Sequence, residues 1–114
     1  MDAFRDELKP VLDDIGDGFT WMGGAAKSLD MADLRAACRN MSENIDDLDA
    51  LLPSPDPTVT RHLSSAVENW TEMARICQGA SLNMGDGKLD EMARLRDAGG
   101  EDLDAAVARI KSLP

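Results

Sequence analysis

The residues of this chain that could do covalent or acid–base chemistry are few: one histidine, His62, the hydroxyls Ser64 and Ser65 beside it, and the cysteines Cys38 and Cys77. A metal or proton-transfer centre built on imidazoles needs at least two of them. A di-iron site in a helical bundle needs Glu-x-x-His pairs, whereas the residue three before His62 is Val59. Neighbouring positions on one helix point in different directions, so Ser64 and Ser65 are not placed as a nucleophile for His62. The stretch Asn83-Met84-Gly85-Asp86-Gly87 has turn chemistry but lacks the acidic spacing and closing Glu of a calcium loop. No catalytic residue, metal ligand or cofactor is therefore expected, and the chain reads as a non-enzyme.

These residues sit on segments with one shared rhythm. Leu8, Leu12, Ile15, Phe19, Met22, Ala26 and Leu29 recur at steps of four and three, the spacing that turns one stripe of a helix toward a neighbour. Pro10 is accommodated if it lies in the first turn, which predicts a helix over 9–29 with Phe4 in a looser leader. Asp30 is placed to cap a second helix over 31–52, carrying Met31, Leu34, Cys38, Met41, Ile45, Leu48 and Leu52. Pro53 and Pro55 stop it, and Asp56-Pro57 reads as cap plus first residue of a third helix over 57–79. That helix carries Val59, Leu63, Ala66, Trp70, Met73 and Cys77. A fourth runs over 87–113 with Asp86 as its cap, through Leu89, Met92, Arg96, Gly99, Leu103, Ala106 and Ile110. The register continues through Gly99-Gly100, which predicts a continuous or kinked helix with Gly99 on the seam, where a missing side chain admits a bulky neighbour such as Trp70; a break at the two glycines is the alternative. Four such segments joined by short connections in one domain, 1–114, predict an all-α, antiparallel up-down-up-down four-helix bundle.

The charge balance narrows the partners. The chain has a net charge of −10, which repels phosphate backbones and anionic lipid alike. Nucleic acid and membrane are disfavoured, and a protein partner with a basic surface is favoured. Residues 1–56 hold 13 acidic and 5 basic side chains against 9 and 7 in 57–114. An antiparallel hairpin places Asp2, Asp6 and Glu7 beside Glu43, Asp46, Asp47 and Asp49, making one pole acidic. Carboxylates at the end of the second helix oppose its macrodipole and add nothing to its stability, so their concentration there reads either as a solvated surface that keeps the protein soluble or as a face for a partner. Trp21 falls off the apolar seam, where partial exposure is expected and an interface anchor or edge packing are both open. A soft cavity lined by methionines would instead take a small apolar ligand or lipid, and self-association into a homo-oligomer stays open beside both.

Cys38 and Cys77 both occupy seam positions. If the second and third helices turn back symmetrically, Cys38 comes level with about Thr71, leaving Cys77 about 9 Å too far along the axis. A disulfide then requires an axial stagger that the Pro-rich connection could supply, and both pairing and packed free thiols remain open. No apolar run approaches a membrane span, and the leading MDAFRDELKP lacks the pattern of a signal peptide. A cytoplasmic protein is expected, with export of a trimmed form left open.

The stretches AAKSLDMADLRAAC, LLPSPDPTVTRHLSSAVENWTEMARIC and LDAAVARI resemble small helical proteins of actinobacteria and their phages. In that family an Ala-Ala-Cys on one helix commonly pairs with a Cys after a Leu-Pro-x-Pro-Asp-Pro connection. The resemblance spans Ala25 to about Leu113 and implies a helical fold, a Cys38–Cys77 pairing and export of many members. It implies no activity. Trp21-Met22-Gly23 shares its letters with the WxG secretion substrates, but stands inside a predicted helix rather than at a mid-chain turn.

Overall fold

In the computed structural model, which describes residues 1–114, the heptad-spaced segments are helices: α1 (Asp2–Lys27), α2 (Met31–Ala50), α3 (Pro57–Gln78) and α4 (Asp86–Ser112). Each packs on the next in chain order, as in an up-down four-helix bundle. Two starts are set by the expected caps. The Asp30 carboxylate accepts from the Asp33 N–H at 3.0 Å, and the Asp56 carboxylate from the Val59 N–H at 3.1 Å with Pro57 opening the helix. At α4 the cap position belongs to Gly85, and Asp86 is the first helical residue, where its charge still complements the helix N-terminus.

The sequence expectation for α1 needs correction, because the helix begins at Asp2 and carries Pro10 in its interior. Proline removes one backbone bond to the carbonyl four residues back. Here Pro10 and Asp6 both lie on the exposed side, so water reaches the orphaned carbonyl, while Phe4 and Leu8 are buried and hold the first turns down. Leu29 is also displaced from its expected seam. It sits in the turn after α1 with φ 57° and 69% of its surface exposed. The Asp30 and Leu29 N–H groups donate back to Ala25 and Ala26, the hydrogen-bond pattern of a Schellman ending that usually has glycine at this position. The remaining helix ends fall within two residues of those expected.

α4 runs unbroken through Gly99-Gly100. A Cβ at Gly99 would come within 2.3 Å of Trp70 Nε1, so the indole lies directly against the α4 backbone. Its N–H donates to the Arg96 carbonyl at 3.2 Å, giving the buried polar atom a partner. One cluster of 23 buried hydrophobic residues joins all four helices, and no polar or charged residue is buried.

Cys38 and Cys77 are joined in a disulfide, with Cα atoms 5.8 Å apart. Pairing them makes Cys38 level with Cys77 rather than with Thr71. The irregular stretch 51–56 between Ala50 and Pro57 therefore runs on along the axis for about 12 Å before α3 turns back, supplying the stagger the bridge requires. Arg35 seals the far end of the same seam, its guanidinium donating to the Ala80 carbonyl at 2.8 Å.

Candidate binding groove

The fourth seam is not closed. No Cα of α1 lies within 8 Å of a Cα of α4, whereas packed helices run with axes about 8–10 Å apart and would bring many such pairs together. Between α1 and α4 lies an open groove of about 780 Å³. Its floor is Ile15, Phe19, Met22, Leu34, Trp70 and Met73, and its walls include Gly16, Gly23 and Ala26 from α1 and Ala93 and Gly100 from α4. The floor is held across the diagonal, where the Phe19 and Trp70 rings meet edge to face with centroids 5.4 Å apart. The walls also carry Leu12 from α1 and Leu89, Met92, Arg96 and Leu103 from α4. A direct polar link between the two helices lies at one end, where Arg5 donates to the Ile110 carbonyl at 3.1 Å.

The apolar rhythm explains why this groove is oily. In α1 the buried stripe is Phe4, Leu8, Ile15, Gly18, Met22 and Ala25, while the seam residues Leu12 and Phe19 are only half-buried and Ala26 is exposed. In α4 the buried residues are Leu95, Gly99, Ala106 and Ile110, whereas Met92 and Leu103 are half-buried and Leu89 is exposed. Seam positions written for a neighbour thus have none along this side. A second depression of about 400 Å³ continues the groove past Leu12 to Leu8, Val107 and Ile110, flanked by Arg5, Lys9 and Lys111.

Three carboxylates border the main groove on α4: Asp97, Glu101 and Asp104. Asp97 is paired with its exposed neighbour Arg96 at 3.0 Å, and neither Glu101 nor Asp104 forms an ion pair. Their four-three spacing runs alongside the apolar seam and could have been read from the sequence, which instead drew attention to the richer acidic half.

The residues singled out in the sequence lie elsewhere. Asp2, Asp6, Glu7, Glu43, Asp46, Asp47 and Asp49 are all exposed. With Gly18 against Met41, Asp46 to Asp49 come level with about residues 10–13 of α1, and Asp2, Asp6 and Glu7 project beyond the last turn of α2. Cations interleave with them, Arg5 3.9 Å from Asp2 and Lys9 2.9 Å from Asp13. Trp21 is 39% exposed and stands apart, its N–H donating to Asp33 at 3.0 Å across the α1/α2 seam and at least ~12 Å along the axis from Asp46. None of these eight residues lines the groove. Of the methionines, Met22, Met73 and Met92 line it, while Met41 is buried beneath Gly18.

His62, Ser64 and Ser65 are half-buried on α3 and do not hydrogen-bond one another. The tightest long-range ion pair is structural. Arg109 of α4 donates through Nε and Nη2 to both oxygens of Asp56, each at 3.1 Å, tying the end of α4 to the cap of α3. Those two bonds, with the Val59 N–H, hold the Asp56 carboxyl below its ordinary value despite partial desolvation. No group of three or more His, Cys, Asp or Glu side chains is arranged to hold a metal ion, and no helix is long and apolar enough to cross a membrane. No protein-family model, no curated protein and no solved structure matches the chain.

Proposed function

We propose that this chain is a non-enzymatic interaction module that holds a basic protein partner in the groove between α1 and α4. The observation that carries this reading is the open seam itself: Leu12, Met92 and Leu103 occupy bundle-core positions of the heptad, yet they stay half-buried along a trough, beside a Phe19 whose packing partner is Trp70 of α3 rather than α4. An apolar trough that the chain leaves uncovered supports a binding face. The carboxylates Asp97, Glu101 and Asp104 at its border supply the preference for a cation-bearing partner. The exposed pole around Asp46 to Asp49 adds a long-range field that steers such a partner without contacting it.

A small apolar ligand is the second reading. It is supported by Met22, Met73 and Met92 and by a volume within the range of ligand pockets, about 300–1,000 Å³. The Cys38–Cys77 bridge supports an oxidising compartment over the cytoplasm expected from the sequence.

Affinity capture from host lysate with three forms of the protein separates these readings. Gly16→Leu/Gly23→Leu fills the trough at positions where an added Cβ meets nothing within 4 Å, so the fold is retained. Asp46→Lys/Asp47→Lys/Asp49→Lys reverses the pole. A partner retained by the pole variant and lost from the trough variant is the expected result. Capture unaffected by filling the trough would remove the groove from the interaction.

A further inference from the structure

Resting on the interaction reading, we infer that the partner element seated in the groove is a single amphipathic α-helix of about four turns, with Lys or Arg flanking its apolar face. An occupant lying on Phe19, Met22, Trp70 and Met73 finds no free N–H or C=O in the walls, because both walls are helices whose backbone groups are already paired. An extended segment would leave its own amides unsatisfied over that floor, while a helix satisfies them internally.

The dimensions agree. The α1 lining runs from Leu12 to Ala26, about 21 Å at ~1.5 Å per residue, which matches roughly four turns. Gly16, Gly23 and Gly100 leave open space where side chains would otherwise stand, so a helix backbone can approach both walls closely.

Charge then selects the face. Glu101 and Asp104 lie one turn apart on the α4 border with no cation of their own, and Asp97 shares only the exposed Arg96. A helix seated against Phe19 and Trp70 presents its flanking positions to this row, where Lys or Arg is attracted and Glu is repelled. Arg96, the cation that lines the main groove, is paired with Asp97, and Arg5, Lys9 and Lys111 lie in the far depression beyond Leu12, so Glu101 and Asp104 are left to meet the occupant.

The test uses labelled synthetic peptides of about 16 residues with one Leu/Met face, flanked by Lys in one version and by Glu in another, together with dodecanoate as an apolar small-molecule probe. Fluorescence anisotropy against the disulfide-bonded protein should show the Lys-flanked peptide binding about tenfold more tightly than the Glu-flanked one at low salt. Asp97→Asn/Glu101→Gln/Asp104→Asn should erase that preference, and Gly16→Leu/Gly23→Leu should abolish binding of both peptides. Equal binding of the two peptides to the unmodified protein overturns the charge argument and with it the inference. Binding of dodecanoate with no peptide binding overturns the helix in favour of a ligand pocket. Capture that is lost on filling the trough, with no peptide binding, sinks the helix while leaving the interaction reading standing.

Discussion

Gly99 and Gly100 are adjacent in one helix, yet alanine at the two positions should act in opposite directions. At Gly99 the added methyl would lie 2.3 Å from Nε1, 2.6 Å from Cδ1 and 2.7 Å from Cε2 of Trp70, a side chain only 1% exposed. The indole cannot yield as the end of a flexible chain would, so the overpacking cost is about 1–3 kcal/mol. Displacing it also strains the bond to the Arg96 carbonyl, costing about 1 kcal/mol more. Alanine's helix propensity returns about 1 kcal/mol. Gly99→Ala should therefore destabilise by about 1–3 kcal/mol. At Gly100 nothing lies within 4 Å of the new methyl, and the propensity gain of about 0.5–1 kcal/mol stands alone. The two variants should differ by roughly 2–4 kcal/mol, on the order of 10 °C in Tm for a domain of this size. Urea unfolding with the disulfide intact measures the gap, and a Trp21→Phe background lets Trp70 emission report the displaced ring. Equal stability of the two alanine variants would refute the placement of Trp70 against α4.

Three further outcomes follow from the same geometry. Cys38→Ala/Cys77→Ala opens a link across a sequence separation of 39 residues; denaturant unfolding should show a loss of about 4 kcal/mol on the chain-entropy argument, with the helical circular dichroism retained in native buffer. Leu29→Gly relieves a left-handed leucine that makes no buried contact; thermal unfolding should show a gain of up to about 1 kcal/mol, set by relief of the left-handed strain against the greater freedom of glycine in the unfolded chain. Asp56 has a folded carboxyl held below its ordinary 3.8 by Arg109, so its ion pair contributes in full above about pH 4 and is lost as the pH falls through the depressed folded value. Urea midpoints measured from neutral pH downward should fall below that point in the unmodified protein, and Asp56→Asn, which keeps a capping side chain, should flatten part of the fall.

Local chemistry was legible from one strand of letters wherever the cause was itself local. Asp30 and Asp56-Pro57 cap helices because a carboxylate three residues before an unpaired N–H can reach it without help from elsewhere. The four-three rhythm drew four helices, and the empty seam position at Gly99 correctly anticipated Trp70. Other features depended on balances between distant parts. α1 extends back to Asp2 through Pro10 because burial of Phe4 and Leu8 outweighs one missing backbone bond, a sum that propensity does not contain. Cys38 meets Cys77 because the path of 51–56 along the axis shifts the register of two helices. The heptad marks which faces are oily but carries no information on which pairs of faces touch, since Leu12 and Leu8 look alike in a sequence. Only the tertiary structure separates them, burying Leu8 and leaving Leu12 in the trough beside α4, and that distinction is what creates a groove with carboxylates along its edge.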